Sequence, residues 1–129
     1  MSTITLTPDN FSETVSADGI AIVDFWAGWC GPCMAFAPVF EAAAVGNPDI
    51  RFGKVDTEAQ QALAGAFEIT SIPTLMVFRD NILLYNRAGA LPAPAFEDLI
   101  TQVRALDMNA VRAEIAAEKT VTADQSQNG

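Results

Sequence analysis

Residues Ile20-Ala21-Ile22-Val23-Asp24-Phe25-Trp26 form a nearly unbroken apolar run with one ionisable group in its middle. A strand that is apolar on both faces belongs in the interior of a sheet covered on both sides. The run therefore points to a layered α/β domain with this strand at its centre. Asp24 is the anomaly. If it faces inward, burial disfavours its charged form and raises its pKa. A solvent-facing strand position is the plainer alternative.

The remaining pattern supplies the neighbours. Ile4 to Leu6 reads as a short edge strand, and Thr7 and Pro8 as the N-cap and first position of a short helix. That helix carries Phe11 and Val15 and ends near Asp18-Gly19. Met34 to Val45 has helical spacing at Phe36, Val39, Phe40 and Ala43, with a kink expected at Pro38. Ile50 to Val55 is a further strand, Glu58 to Phe67 a short helix. Thr74 to Phe78 and Ile82 to Tyr85 pair across Asp80-Asn81, since both turn residues tolerate positive φ. Phe96, Leu99, Ile100, Val103 and Leu106 form an amphipathic stripe. The order β-α-β-α-β-α-β-β-α predicts a mixed sheet of about five strands with helices on both faces. A second stripe, Met108, Val111 and Ile115, is out of phase with the first and predicts a break near 107–109. From Lys119 the composition suggests a flexible tail. We therefore expect a domain over 1–106, a helical extension over 107–118 and a tail over 119–129.

The chain has 129 residues, 16 acidic and 7 basic, for a formal charge of −9. Nucleic-acid binding needs clustered positive charge, which is missing here. No apolar run approaches the roughly 18 residues of a membrane span, and no secretory signal is visible. These features point to the cytoplasm, with the acidity serving solubility or the steering of basic partners, and a monomer is expected. There is no Gly-rich nucleotide fingerprint, so no bound cofactor is expected.

The two cysteines are three residues apart, and histidine is absent. A closed zinc site needs four ligands, so no metal site is expected. A disulfide-stapled domain would carry more cysteines, more widely spread. A single C-x-x-C is more often catalytic. Here it lies where the central strand gives way to a helix, so i and i+3 can bring the sulfurs together. Unpaired N–H groups and the helix dipole favour a thiolate at the first cysteine. Cys30 is the expected exposed nucleophile and Cys33 the resolving thiol, with Pro32 stiffening the first helical turn.

Val23-Asp24-Phe25-Trp26-Ala27, Trp29-Cys30-Gly31-Pro32-Cys33 and Ile72-Pro73-Thr74, in this order and at this spacing, resemble the thioredoxin family over about residues 1–106. The resemblance implies a thioredoxin fold and reduction of protein disulfides. It implies recycling by an NADPH-dependent thioredoxin reductase, with peroxiredoxins, methionine sulfoxide reductases or ribonucleotide reductase among the targets. It makes Asp24 a buried acid that handles the proton of Cys33, and Lys54 its neighbour. It makes Pro73 a cis-proline against the disulfide. Trp29, Gly31, Ile72, Gly89 and Ala90 become an apolar contact surface around Cys30. Met34, where the family usually carries Lys or Arg, Gly28 and Asn81 depart from its pattern. Loss of a basic neighbour at Met34 should raise the Cys30 pKa or alter recognition of the reductase. Two other readings remain open: a chaperone or complex subunit binding through the 107–118 extension, and an oxidase or isomerase. The Gly31-Pro32 dipeptide favours the reducing direction by the same resemblance.

Overall fold

The computed structural model describes the backbone of residues 2–128 and side chains as far as residue 118. The strands are β1 (Thr3–Thr5), β2 (Ile20–Trp26), β3 (Arg51–Asp56), β4 (Thr74–Arg79) and β5 (Ile82–Ala88). The helices are α1 (Phe11–Ser16), α2 (Gly31–Gly46), α3 (Gln61–Ala66), α4 (Ala93–Ala105) and α5 (Met108–Asn128). The five strands form one mixed sheet in the order β1-β3-β2-β4-β5. β1, β3 and β2 run parallel, while β4 is antiparallel to β2 and β5 to β4. The apolar run Ile20–Trp26 is thus the central strand, buried over its first six residues.

Alternation along β2 divides the core. Ala21, Val23 and Phe25 join Val55, Met76 and Phe78 in a cluster with Leu6 and with Phe11 and Val15 of α1. Leu63 of α3 packs against the same cluster. On the other face lie Ile22, Asp24 and Phe52. There Phe36 and Phe40 of α2 meet Phe52 and Phe96, with ring centroids 5.3–6.3 Å apart. Aromatic pairs at such separations add to the area they bury. Helices therefore cover both faces, as the sequence predicts.

Gly53 of β3 marks a close approach. A Cβ built there would overlap the side chain of Leu6, which is fully buried. Gly53→Ala is expected to lower stability by about 1–3 kcal/mol through overpacking. Urea unfolding checks this, and an unchanged midpoint would contradict the packing described.

Several boundaries differ from the sequence reading. β1 and β3 are displaced by one residue. α1 begins at Phe11 rather than Pro8, because Thr7 and Asn10 close a tight turn: Asn10 Oδ1 accepts from Thr7 N–H at 2.8 Å. The Arg51 guanidinium donates to the carbonyl of Thr14 in α1 and to those of Ala17 and Asp18 just beyond it. α2 begins at Gly31 and runs unbroken through Pro38. α3 is shorter than Glu58–Phe67, because Asp56 Oδ1 holds the N–H groups of Glu58 and Ala59 in a separate turn. β5 extends three residues beyond Tyr85. Asp80 and Asn81 do take positive φ, 52° and 66°.

The chain divides into two compact units, Met1–Glu97 and Asp98–Gly129. Within the second, Asp107 Oδ1 accepts from the N–H groups of Asn109 (3.0 Å) and Ala110 (3.3 Å), capping α5. Met108 is buried, and Val111 and Ile115 are half-buried. α5 continues past the point at which the sequence expects a tail. The tail's side chains, 119–129, lie outside the described residues. No helix among the described residues is long and apolar enough to cross a membrane.

Candidate active site

Cys30 and Cys33 are joined as a disulfide, with their Cα atoms 5.2 Å apart. Cys30 is the N-cap of α2 in an extended conformation, and its sulfur accepts the N–H of Cys33 at 3.2 Å. A cysteine thus occupies the position where a serine or aspartate oxygen usually satisfies a free helix N–H. Pro32 falls in the first turn, where no backbone donor is lost. Ala27, Cys30 and Cys33 form one apolar cluster, against which Trp26 and Ile72 pack. Cys30 is less open than the sequence suggests, at 4% exposure against 1% for Cys33.

The surrounding residues come from four segments. Cys30 Sγ lies 3.7 Å from the carbonyl oxygen of Ile72, in the Ile72–Pro73 bond, which is cis. The Pro73 carbonyl accepts the N–H of Gly89 at 2.8 Å. Gly89 has φ of +113°, a conformation that suits glycine, and both it and Ala90 are exposed. Gly31 is exposed, and Trp29 is 72% exposed. Trp29, Thr57 and Ile69 to Ile72 line a cleft of about 180 Å³ beside the disulfide.

Asp24 faces inward. It is 1% exposed, and neither carboxyl oxygen has a hydrogen-bond partner among the described residues. Burial raises its pKa from 3.8 to about 7, opposed by the charge of Lys54. Lys54 is its register partner across β2 and β3. Asp24 shares its strand face with Trp26, two residues on, which packs against the cysteine pair.

Three contacts escape sequence reasoning. Trp29 Nε1–H donates to Glu58 Oε1 at 2.6 Å, fixing an otherwise exposed ring. Thr57 donates its N–H (2.9 Å) and its hydroxyl (3.0 Å) to the Trp26 carbonyl, anchoring the end of β2. Glu41 of α2 lies 3.9 Å from Lys54 Nζ. The available signal was the parallel β2–β3 pairing, which sets the loops after both strands side by side. Among the described residues no cluster of His, Cys, Asp or Glu could hold a metal ion.

A disulfide that opens and closes at a helix start can exchange electrons with other thiols and disulfides. Comparison with known proteins agrees. The family model described as Thioredoxin matches residues 2–104. The chain is 52% identical over 118 residues to a putative thioredoxin 2 of Streptomyces coelicolor, covering 92% of this chain and 88% of that protein. It is 35% identical to a thioredoxin of Bacillus subtilis, covering 79% and 98%. The crystal structure of a Malassezia sympodialis thioredoxin superposes with a TM-score of 0.69 at 30% identity, covering 78% of this chain and 89% of the other. The chain belongs to the thioredoxin family and is a thiol–disulfide oxidoreductase with Cys30 and Cys33 as its active pair.

Proposed function

We propose that the chain reduces protein disulfides, with Cys30 as nucleophile, Cys33 as resolving thiol and Asp24 as proton acceptor. The observation that carries this reading is the Cys33 N–H aimed at Cys30 Sγ at the first turn of α2. In the dithiol form the same N–H and the helix dipole stabilise a thiolate at Cys30.

The Cys30 thiolate attacks one sulfur of a substrate disulfide. The substrate S–S bond breaks, a Cys30–substrate bond forms, and the departing thiolate takes a proton. Cys33 then passes its proton to the Asp24 carboxylate, and its thiolate attacks Cys30 Sγ. The mixed disulfide breaks, the Cys30–Cys33 bond forms, and the second substrate thiol leaves. Two electrons pass to the substrate. Trp29, Gly31, Ile72, Gly89 and Ala90 receive an extended segment by shallow apolar contact and backbone pairing. Pro73 shapes that surface, Pro32 stiffens the loop, and Lys54 moderates Asp24.

The recycling partner is an NADPH-dependent thioredoxin reductase, and the setting is a monomer in the cytoplasm. The functional domain runs to about residue 106, with 107–118 as a helical extension. Insulin reduction with NADPH and a bacterial thioredoxin reductase tests this reading. NADPH oxidation should require the chain and track insulin precipitation. Precipitation driven only by added dithiol, with NADPH untouched, would remove the reductase from the account.

A further inference from the structure

On the α2 side of the sheet, one ammonium group stands among three candidate holds. Lys54 Nζ lies 3.9 Å from Glu41 Oε1 and 5.1 Å from the centroid of the Trp26 ring. Glu41 is itself held from β1, accepting the hydroxyl of Thr3 at 3.1 Å. The third candidate is Asp24, directly beside Lys54 in the β2–β3 register. Yet its carboxyl oxygens have no hydrogen-bond partner among the described residues.

A lysine on a flexible stem would make a strong charge-assisted bond to a buried carboxylate if nothing held it elsewhere. A partly exposed ion pair is weak by itself, but the indole face adds a second hold. Entering the interior would also strip water from the ammonium. We infer that Glu41, pinned by Thr3, is a positioning residue that keeps the Lys54 ammonium at the outer edge of this face and out of bonding contact with Asp24.

The other groups around Asp24 do not substitute for Glu41. β4 presents the apolar Leu75 and Val77. β3 contributes Asp56 beside Trp26, whose Oδ1 is engaged by the N–H groups of Glu58 and Ala59. α2 contributes the cysteine pair and Glu41. With Lys54 held outside, Asp24 keeps its proton to about pH 7, so it can cycle during thiol exchange. The consequence for turnover rests on the proposed role of Asp24 toward Cys33.

The test is Glu41→Gln in the full chain, reading the Asp24 carboxyl by carbon NMR across pH alongside the pH profile of insulin reduction. Release of Lys54 should lower the Asp24 titration midpoint and the acid limb of the profile together, by about one pH unit. Thr3→Val should move both the same way by less. In a Lys54→Met background, Glu41→Gln should leave the Asp24 midpoint where it is. An unmoved midpoint in the single variant, or an equal movement without Lys54, would overturn the inference. A moved midpoint with a fixed rate profile would uphold Glu41 as the group that positions Lys54. That result would overturn the proton role of Asp24 instead.

Discussion

Cys33→Ser should leave the first attack intact and all but stop turnover, whereas Cys30→Ser should stop the first attack itself. The difference follows from where each sulfur acts. Cys30 is the less buried of the two cysteines and its Sγ receives the Cys33 N–H, so without it no nucleophile reaches the substrate. Cys33 lies one helical turn on, with its Cα 5.2 Å from that of Cys30, already placed for the second displacement. Well-oriented intramolecular groups act at effective concentrations of about 10⁵ M or more. External thiols at millimolar concentration cannot replace that, so steady-state reduction should fall by about 10³-fold or more in either variant. Only Cys33→Ser should show a burst of one substrate equivalent. Stopped-flow fluorescence and a steady-state assay together separate the two.

Asp24→Ala should stabilise the fold at alkaline pH, an unusual outcome for removal of a fully buried side chain. The carboxyl has no hydrogen-bond partner among the described residues and ionises only near pH 7 in the folded state, against an ordinary 3.8. Between these values the folded chain holds a proton that the unfolded chain has released. Stability therefore falls as pH rises from about 4 to about 7, then levels off. At about 1.4 kcal/mol per pH unit, the decline amounts to about 4 kcal/mol. The alanine variant lacks this decline. It should exceed the native chain by about 2–4 kcal/mol at pH 8, and at pH 4, where only the cavity loss remains, equal it or fall up to about 2 kcal/mol below it. Urea titrations at the two pH values measure this. A difference that does not change with pH would contradict a carboxyl whose burial raises its pKa.

Much of this architecture was legible because single residues declare it. Ile20–Trp26 is apolar on both faces and became the central strand with the expected limits. Asp80-Asn81 adopts the left-handed turn that its residue types permit. The phase break between Val103 and Met108 became a helix boundary, capped by Asp107. The misses have a common physical cause. Gly31-Pro32-Cys33 has no apolar periodicity, so the true start of α2 depends on a sulfur cap that residue type alone does not advertise. The start of α1 is set by a local Thr7–Asn10 exchange of bonds, which outweighs the preference of Pro8 for a first helical position.

At the site, the cysteines, Asp24 and Pro73 were marked by motif and by chemical anomaly. Glu58 and Glu41 were not. Each pairs with a residue on another element, Glu58 with Trp29 and Glu41 with Lys54, through the register of β2, β3 and α2. A carboxylate on a polar surface carries no mark of such a partner until the strands are aligned. The openness of Cys30 was overstated for a related reason, since the wall formed by Ile72 arrives from a segment 42 residues away.

In the proposed sequence a substrate sulfur bonds first to Cys30 and is then displaced by Cys33. Mass spectrometric mapping of the adduct formed when reduced Cys33→Ser meets a disulfide-containing protein shows which sulfur bonds first. One substrate-derived cysteine peptide per chain is expected, joined to the peptide containing Cys30 and released by dithiothreitol. Failure of Cys33→Ser to form any adduct, while Cys30→Ser forms a stable one through Cys33, would contradict the assigned order.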